Sequence, residues 1–224
     1  MHMMSRLLTS MTHDIQTPLN YIALTAGSIP QLIVGKDYDE IGEIGRLITN
    51  SSQGMSSLLK DLLDYIKANV YSKSLKFDDI NVNSLITSKL YIFESVNELK
   101  HNRVSNLVPE SLIVRSDYQM LAIIIHNLID NATKFTDNGI FTISSEKIEG
   151  KVHLIFSNNG TPISEELLNM FNEEPGVTDT TSTIGRKTGL GFLIVKEIAS
   201  LIGVQLTVNQ TETTNFHLIF EGPL

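Results

Sequence analysis

Apolar residues at Leu8, Met11, Ile15, Leu19, Ile22, Ala26, Ile29 and Ile33 recur mostly at steps of three and four, the spacing that places side chains on one face of an α-helix. An amphipathic helix is therefore expected from Met4 to about Ile33, with its register shifting around Pro18. Gly27-Ser28, Pro30 and Gly35-Lys36-Asp37 interrupt the pattern, which puts the turn out of this helix between Ser28 and Asp37. Asp37 and Glu40 have the spacing of a capping box, so a second helix should begin at Tyr38. Its seam of Ile41, Ile44, Ile48, Ser51, Met55, Leu58, Leu62 and Tyr65 alternates steps of three and four. Gly42, Gly45 and Gly54 each weaken it by roughly 1 kcal/mol relative to alanine, so packing has to hold it. Leu47, Leu59, Leu63 and Ile66 widen the stripe beyond what one neighbour covers. Two such hairpins bury both stripes in a four-helix bundle, and a homodimer is the expected state.

Residues Ala68 to Lys76 are polar and aperiodic. The pattern thus predicts a helical hairpin over 1–68, a linker over 69–76 and a second domain over 77–224. There, short strand-like runs at Phe77–Val82, Val104–Leu107, Leu112–Val114, Gly139–Ser144, Lys151–Phe156, Val204–Val208 and Phe216–Phe220 are mixed with helical ones. The helices are expected from a cap at Asn83 to about Asn97, over Asp117–Lys134, over Ile163–Phe171 and over Gly189–Ile202. Without βαβ regularity, this order implies an α+β sandwich, a mixed β-sheet with helices on one face.

Composition narrows the classes. A formal charge of −8 supplies no basic face for nucleic acid. The absence of cysteine removes disulfides and thiolate metal sites and agrees with a cytoplasmic setting. No apolar run reaches the ~18–20 residues of a membrane helix, and no basic and apolar leader opens the chain. Any membrane anchor or sensor is expected outside these residues.

Candidate chemistry begins at Thr12-His13-Asp14-Ile15-Gln16-Thr17-Pro18-Leu19. With Leu8, Met11 and Ile15 on the seam, His13 faces outward. Thr17 shares its face one turn on, and Asp14 sits beside the imidazole. A surface histidine on a helix is the plainer explanation of this segment taken alone. The octet resembles the phosphoacceptor box of sensor histidine kinases. In the second domain, Asn127, Asn131 and Lys134 line one stripe of a helix otherwise filled by Leu128, Ile129 and Ala132. Amide oxygens suit Mg²⁺ and lysine suits phosphate, although asparagines near a helix end also serve as caps. This stretch, His126 to Thr136, resembles the N box of the histidine kinase ATP-binding domain, whose fold is shared with gyrase, Hsp90 and MutL. The resemblance implies that Asn131 holds Mg²⁺, Asn127 supports it, Lys134 contacts phosphate and Phe135 lies near the base.

Two further segments follow in the family's order. Ser157-Asn158-Asn159-Gly160-Thr161-Pro162 resembles the G1 box, with Asn158 where the family has aspartate and Pro162 in place of the second glycine. By itself it reads as an Asn-Gly turn. An asparagine carbonyl still accepts a bond from the adenine amino group, without charge assistance, while its NH₂ suits a carbonyl on another base. Lys187-Thr188-Gly189-Leu190-Gly191-Phe192 is similar to the G2 box, with Lys187 replacing a glycine and Phe192 a leucine. Glycines at a helix start let backbone N–H groups approach phosphate. The resemblance makes Asn172 to Lys187 the ATP lid and Met170-Phe171 half of the F box.

The whole resemblance implies a dimeric kinase core that uses ATP and Mg²⁺, phosphorylates His13 and passes the phosphoryl group to an aspartate of a response-regulator receiver domain. Asp14 is then placed to orient the imidazole, and Asp14 with Thr17 to position water for dephosphorylating the regulator. The gyrase-like ATPases have a glutamate where Asn127 stands, and an amide takes no proton from water, so hydrolysis is disfavoured. A degenerate kinase-like scaffold is the alternative, motivated by Asn158, Pro162 and Lys187.

Overall fold

Two long helices open the chain in the computed structural model, which describes residues 2–71, 75–172 and 190–221. The first, α1 (His2–Gly35), runs unbroken through Pro18 and Pro30, so the expected interruption at Gly27-Ser28 and Pro30 is not there. Each proline costs one backbone bond. Before Pro30, the Thr25 hydroxyl donates to the Tyr21 carbonyl at 2.7 Å and the Ser28 hydroxyl to that of Thr25 at 2.8 Å, so both side chains are satisfied within the helix. The turn comes later, at Lys36. Asp37 N–H donates to Leu32 O at 3.0 Å and Lys36 N–H to Ile33 O at 3.2 Å, the pairing of a Schellman cap. Lys36 occupies its left-handed position at φ 60°, while Gly35 sits one residue too early to relieve it.

The second helix, α2 (Tyr38–Tyr71), starts where the capping box placed it, with the Asp37 carboxylate accepting from the Glu40 N–H at 3.3 Å. Ile44 is buried along its seam and Ile41, Ile48, Met55 and Leu62 are half-buried, whereas Leu47, Leu59, Leu63 and Ile66 are exposed. On α1 the less exposed row is Pro18, Ile22, Thr25, Ile29 and Leu32, and the expected Leu19, Ala26 and Ile33 face solvent. The observed row keeps a four-three alternation because it admits Thr25, whose hydroxyl is satisfied by its own helix. A pattern counted on apolar residues alone passes over it.

The chain divides into two compact units, the first taking in the helical hairpin to Lys67 and the second beginning at Ala68. α2 itself continues to Tyr71, beyond the expected limit of 68, and residues 72–74 of the expected linker lie outside the described ones.

The second unit starts with a two-stranded antiparallel ribbon, β1 (Phe77–Asn81) against β3 (Ile113–Asp117). Its main sheet has five strands in the order β2 (Arg103–Asn106), β4 (Ile140–Ile148), β5 (Lys151–Asn158), β7 (Thr214–Phe220), β6 (Gln205–Gln210), antiparallel except for the parallel β2–β4 pair. Alternation selects one buried face. Ile143, Phe156, Phe216 and Val208 stand side by side across four strands, and Leu154, Leu218 and Leu206 form the next row. Helices α3 (Val82–Leu99), α4 (Tyr118–Phe135) and α6 (Leu190–Leu201) contribute Ile86, Ile125, Leu128, Val195 and Ile198 to this core, and the short α5 (Glu165–Asn172) contributes Phe171. The sandwich class is as the sequence implied.

Two caps set where the helices begin. Asn81, not the expected Asn83, accepts from the Ser84 N–H at 2.9 Å at the start of α3, while the Asn83 amide instead donates to the Val108 carbonyl. Asp117 caps α4 through the Met120 N–H at 3.0 Å and binds the Lys76 N–H at 2.8 Å. Among the described residues no helix is long and apolar enough to cross a membrane. The cap at Lys36 yields a direct test. Lys36→Gly removes the left-handed strain and should raise the stability of the hairpin by roughly 0.5–1 kcal/mol, read as a higher urea midpoint with unchanged slope.

Candidate functional site

The site is built around the way α4 ends. Lys100, just past α3, donates from one ammonium to the carbonyls of Thr133 at 2.9 Å, Lys134 at 2.7 Å and Thr136 at 3.1 Å. These carbonyls carry the negative end of the helix dipole, so a cation there is favoured. Buried Asn97 donates to Phe93 O at 3.0 Å and to Thr133 Oγ1 at 3.2 Å, and Asn102 bridges Asn97 Oδ1 at 3.1 Å and Thr136 O at 3.0 Å. The chain leaving α4 is thereby held from three sides.

The glycine turn after β5 is docked on that end. Thr161 N–H donates to the Phe135 carbonyl at 2.8 Å, and Asn159 Oδ1 accepts from the Ile140 N–H at 2.7 Å. A Cβ on Gly160 would collide with the Phe135 carbonyl and with Thr136 Oγ1, so only glycine lets the two backbones approach. Asn158, buried on the last residue of β5, donates from Nδ2 to Thr136 Oγ1 at 3.2 Å. With its NH₂ engaged there, the amide oxygen is what it offers elsewhere. Beyond the turn, Gln210 grips Ile163 by both backbone groups, accepting from its N–H at 2.8 Å and donating to its carbonyl at 3.2 Å. Ile163, expected in a helix, is thus a loop residue ahead of α5.

Between these parts lies a small, partly open cleft. Leu128, Ala132 and Phe135 of α4 form one wall, Phe156, Phe192 and Phe216 the floor, and Thr161 and Ile163 the rim. Phe192 stacks on Phe216 with centroids 5.2 Å apart and planes at 10°, and Phe171 meets both rings edge-on at 5.5 and 5.8 Å. The polar groups at the cleft are Asn131, Asn158, Thr161 and Thr214. An apolar slot with a few placed polar groups has the character of a small-molecule site and matches the flat face of a nucleobase.

Of the residues singled out from the sequence, Asn131, Phe135 and Asn158 line this cleft together, and Gly160 shapes its edge. Asn131 makes no side-chain hydrogen bond among the described residues, so its amide oxygen is available to a hard cation, one ligand for an ion that keeps water and phosphate as its others. Asn127 does not reach the cleft lining. It is buried one turn earlier, with Nδ2 donating to the Ile123 carbonyl at 2.9 Å. Lys134 is likewise outside the lining and pairs with Asp130 at 2.9 Å. Thr188 and Gly189 lie outside the described residues, as does most of the expected lid. Leu190 and Gly191 begin α6, their side chains not described. His13, Asp14 and Thr17 lie on helical backbone in α1, and their side chains too fall outside the described ones.

Sequence reasoning passed over Thr136, Gln210, Thr214 and the Lys100 network. Only Thr136 carried a signal, as the residue closing the His126-to-Thr136 stretch. The others are brought in by strands and helices distant in the chain.

Comparison with known proteins agrees with both halves. Residues 3–69 match the family model described as His Kinase A (phospho-acceptor) domain, and residues 116–223 match Histidine kinase-, DNA gyrase B-, and HSP90-like ATPase. The sensor histidine kinase AtsR of Burkholderia thailandensis is 27% identical over 202 residues, spanning 85% of this chain and 32% of that protein. The sensor histidine kinase YvrG of Bacillus subtilis is 29% identical over 218 residues, 90% of this chain and 35% of that one. The chain therefore spans about a third of the length of these curated relatives. In fold it is similar to the histidine kinase ThkA solved with the response regulator protein TrrA, at a TM-score of 0.69 and 24% identity, covering 99% of this chain and 61% of that one.

The end of α4 gives a measurable consequence. Lys100→Met keeps the length of the side chain and deletes its three charged bonds, and should lower stability by about 2 kcal/mol. Amide exchange at Thr136 and Thr161 should quicken more than at the core of β5.

Proposed function

Because the chain belongs to the sensor histidine kinases, joining their phosphoacceptor domain to their ATP-binding domain, we propose that it moves the γ-phosphoryl group of ATP to a ring nitrogen of His13. A nitrogen–phosphorus bond forms, the bond from the γ-phosphorus to the bridging oxygen breaks, and ADP leaves. The phosphoryl group then passes to an aspartate of a response regulator. The observation that carries this reading is that Asn131 and Asn158, one from each of two sequence boxes, line a single aromatic cleft. A dimer, through the exposed apolar rows of α1 and α2, and a cytoplasmic setting belong to the same proposal. The regulator is proposed by analogy with ThkA, which was solved with one.

Each residue then has a physical task. Phe135, Phe156 and Phe216 receive the base, and the Asn158 oxygen accepts from its amino group. Asn131 holds Mg²⁺, which when bound neutralises charge on the phosphates. Lys134 turns from Asp130 to phosphate. That exchange is cheap, since a half-exposed ion pair contributes about 0–1 kcal/mol. Thr188, Gly189, Leu190 and Gly191 offer backbone N–H groups to phosphate at the start of α6. Asp14 orients the imidazole so that the attacking nitrogen is unprotonated. Asn127, buried and without a carboxylate, has no means of activating water, which favours transfer over hydrolysis. Asp14 and Thr17, on the same helical segment as His13, also position water for dephosphorylating the regulator. Thr17→Ala should abolish that activity, and unchanged regulator dephosphorylation would refute the role.

The amide orientation at Asn158 sets base choice. Its NH₂ is engaged by Thr136, so the cleft meets a base with an acceptor, matching the adenine amino group and opposing the guanine carbonyl. ATP should therefore displace a bound fluorescent nucleotide at concentrations at least ~10-fold lower than GTP, and equal potency would overturn the assignment. For the activity itself, incubation with γ-labelled ATP and Mg²⁺ should leave acid-labile, alkali-stable label on the protein that is absent in His13→Gln. Free phosphate without protein label would point to an ATPase. No label and no nucleotide binding would leave a kinase-like scaffold.

A further inference from the structure

The outer face of the main sheet carries a cluster that the nucleotide cleft does not use. Glu146 of β4 stands directly opposite His153 of β5, and His217 of β7 lies diagonally from His153, which pairs with Ile219. All three side chains point away from the helices, since their neighbours Ser145, Leu154 and Leu218 point inward. One ligand atom from each lies within 4.8 Å of the others, and the two imidazoles sit edge to face with centroids 6.3 Å apart. We infer that Glu146, His153 and His217 form a binding site for one borderline divalent cation of the Zn²⁺ class, closed by water at its solvent side.

The donor set has the right chemistry. Two imidazoles and one carboxylate are the ligands of many open zinc sites, at about 2.0–2.2 Å per bond, which asks for ligand–ligand spacings near 3.4 Å in a tetrahedron. Side-chain rotation supplies the difference, because Glu146 is exposed and both histidines are only half-buried. Hard Mg²⁺ prefers an all-oxygen set, so this site and the one at Asn131 select different ions.

One neighbour has to yield. The amide NH₂ of Asn209 on β6 lies 3.1 Å from His217 Nε2, a neutral contact that a cation bound to the ring displaces. Lys151, two residues along β5 on the same face, is paired with Glu221 at 2.8 Å. The ion would tie three adjacent strands together, and its binding would appear as added stability of the folded domain.

The test uses the full 224-residue protein, without nucleotide and with Mg²⁺ in excess, titrated calorimetrically with Zn²⁺. One ion per chain is expected, with affinity at least ~10-fold weaker in His153→Gln and in His217→Gln and unchanged in the control His101→Gln. On the unaltered protein, Zn²⁺ should shift the ring resonances of His153 and His217 while leaving His101 in place, a readout independent of whether the variants fold. Zn²⁺ binding that survives in both variants, or that moves only other histidines, means an adventitious ion only and overturns the site. So does the absence of binding.

Discussion

The geometry of the second domain depends on how one helix is made to stop. At the end of α4 three carbonyls converge on the Lys100 ammonium, and the Asn97–Asn102 pair locks the same turn from the side. A helix end left in this position without partners would carry orphaned acceptors next to the core. Satisfying them fixes Phe135 and Thr136, and these two residues place everything on that side of the cleft. The Phe135 carbonyl receives Thr161 and excludes any side chain at position 160, while the Thr136 hydroxyl receives Asn158. A single charged cap thus reaches through two hydrogen bonds to Asn158, which lines the cleft.

The departures at Phe192, Phe171, Pro162 and Asn158 from the family's boxes have structural explanations. Phe192, where leucine is usual, completes a three-ring cluster with Phe171 and Phe216 and floors the cleft with an aromatic surface. Phe171, half of an incomplete F box, is held by that cluster. Pro162 stands where a flexible glycine is expected, yet the following Ile163 is gripped at both backbone groups by Gln210. The loop there is already set by an external clamp, so a fixed φ costs it nothing. Asn158 keeps the acceptor of the usual aspartate and gives up its charge, consistent with a buried position whose partner is a neutral hydroxyl.

The five-stranded sheet serves two surfaces with one alternation. Even-numbered residues of β5 and β7 build the core and the cleft, and odd-numbered ones face away from the helices, where His153 and His217 meet Glu146. Strand register couples the two, because the same backbone that positions Asn158 and Thr214 on one side positions the histidines on the other.

Much of this was legible in the chain as a string. Periodicity located the six helices and seven strands of the described residues, the capping box placed the start of α2 at Tyr38, and the order of the boxes pointed to the kinase core, because these signals are local and each depends on residues within one or two turns. The helix break assigned to Pro30, the cap assigned to Asn83 and the seam through Leu19 and Ile33 were decided otherwise by the folded chain. A proline costs a long helix one backbone bond, two asparagines two residues apart compete for one cap, and a threonine completes a seam once its hydroxyl is satisfied. Likewise, sequence named Asn131, Phe135 and Asn158, but only tertiary structure could bring them to one cleft while leaving Asn127 and Lys134 outside its lining. That choice rests on contacts between residues 22 to 47 positions apart, such as Asn158 with Thr136, Lys100 with Thr136 and Ile163 with Gln210. Periodicity within a single element carries no information about which distant partner a polar group will find.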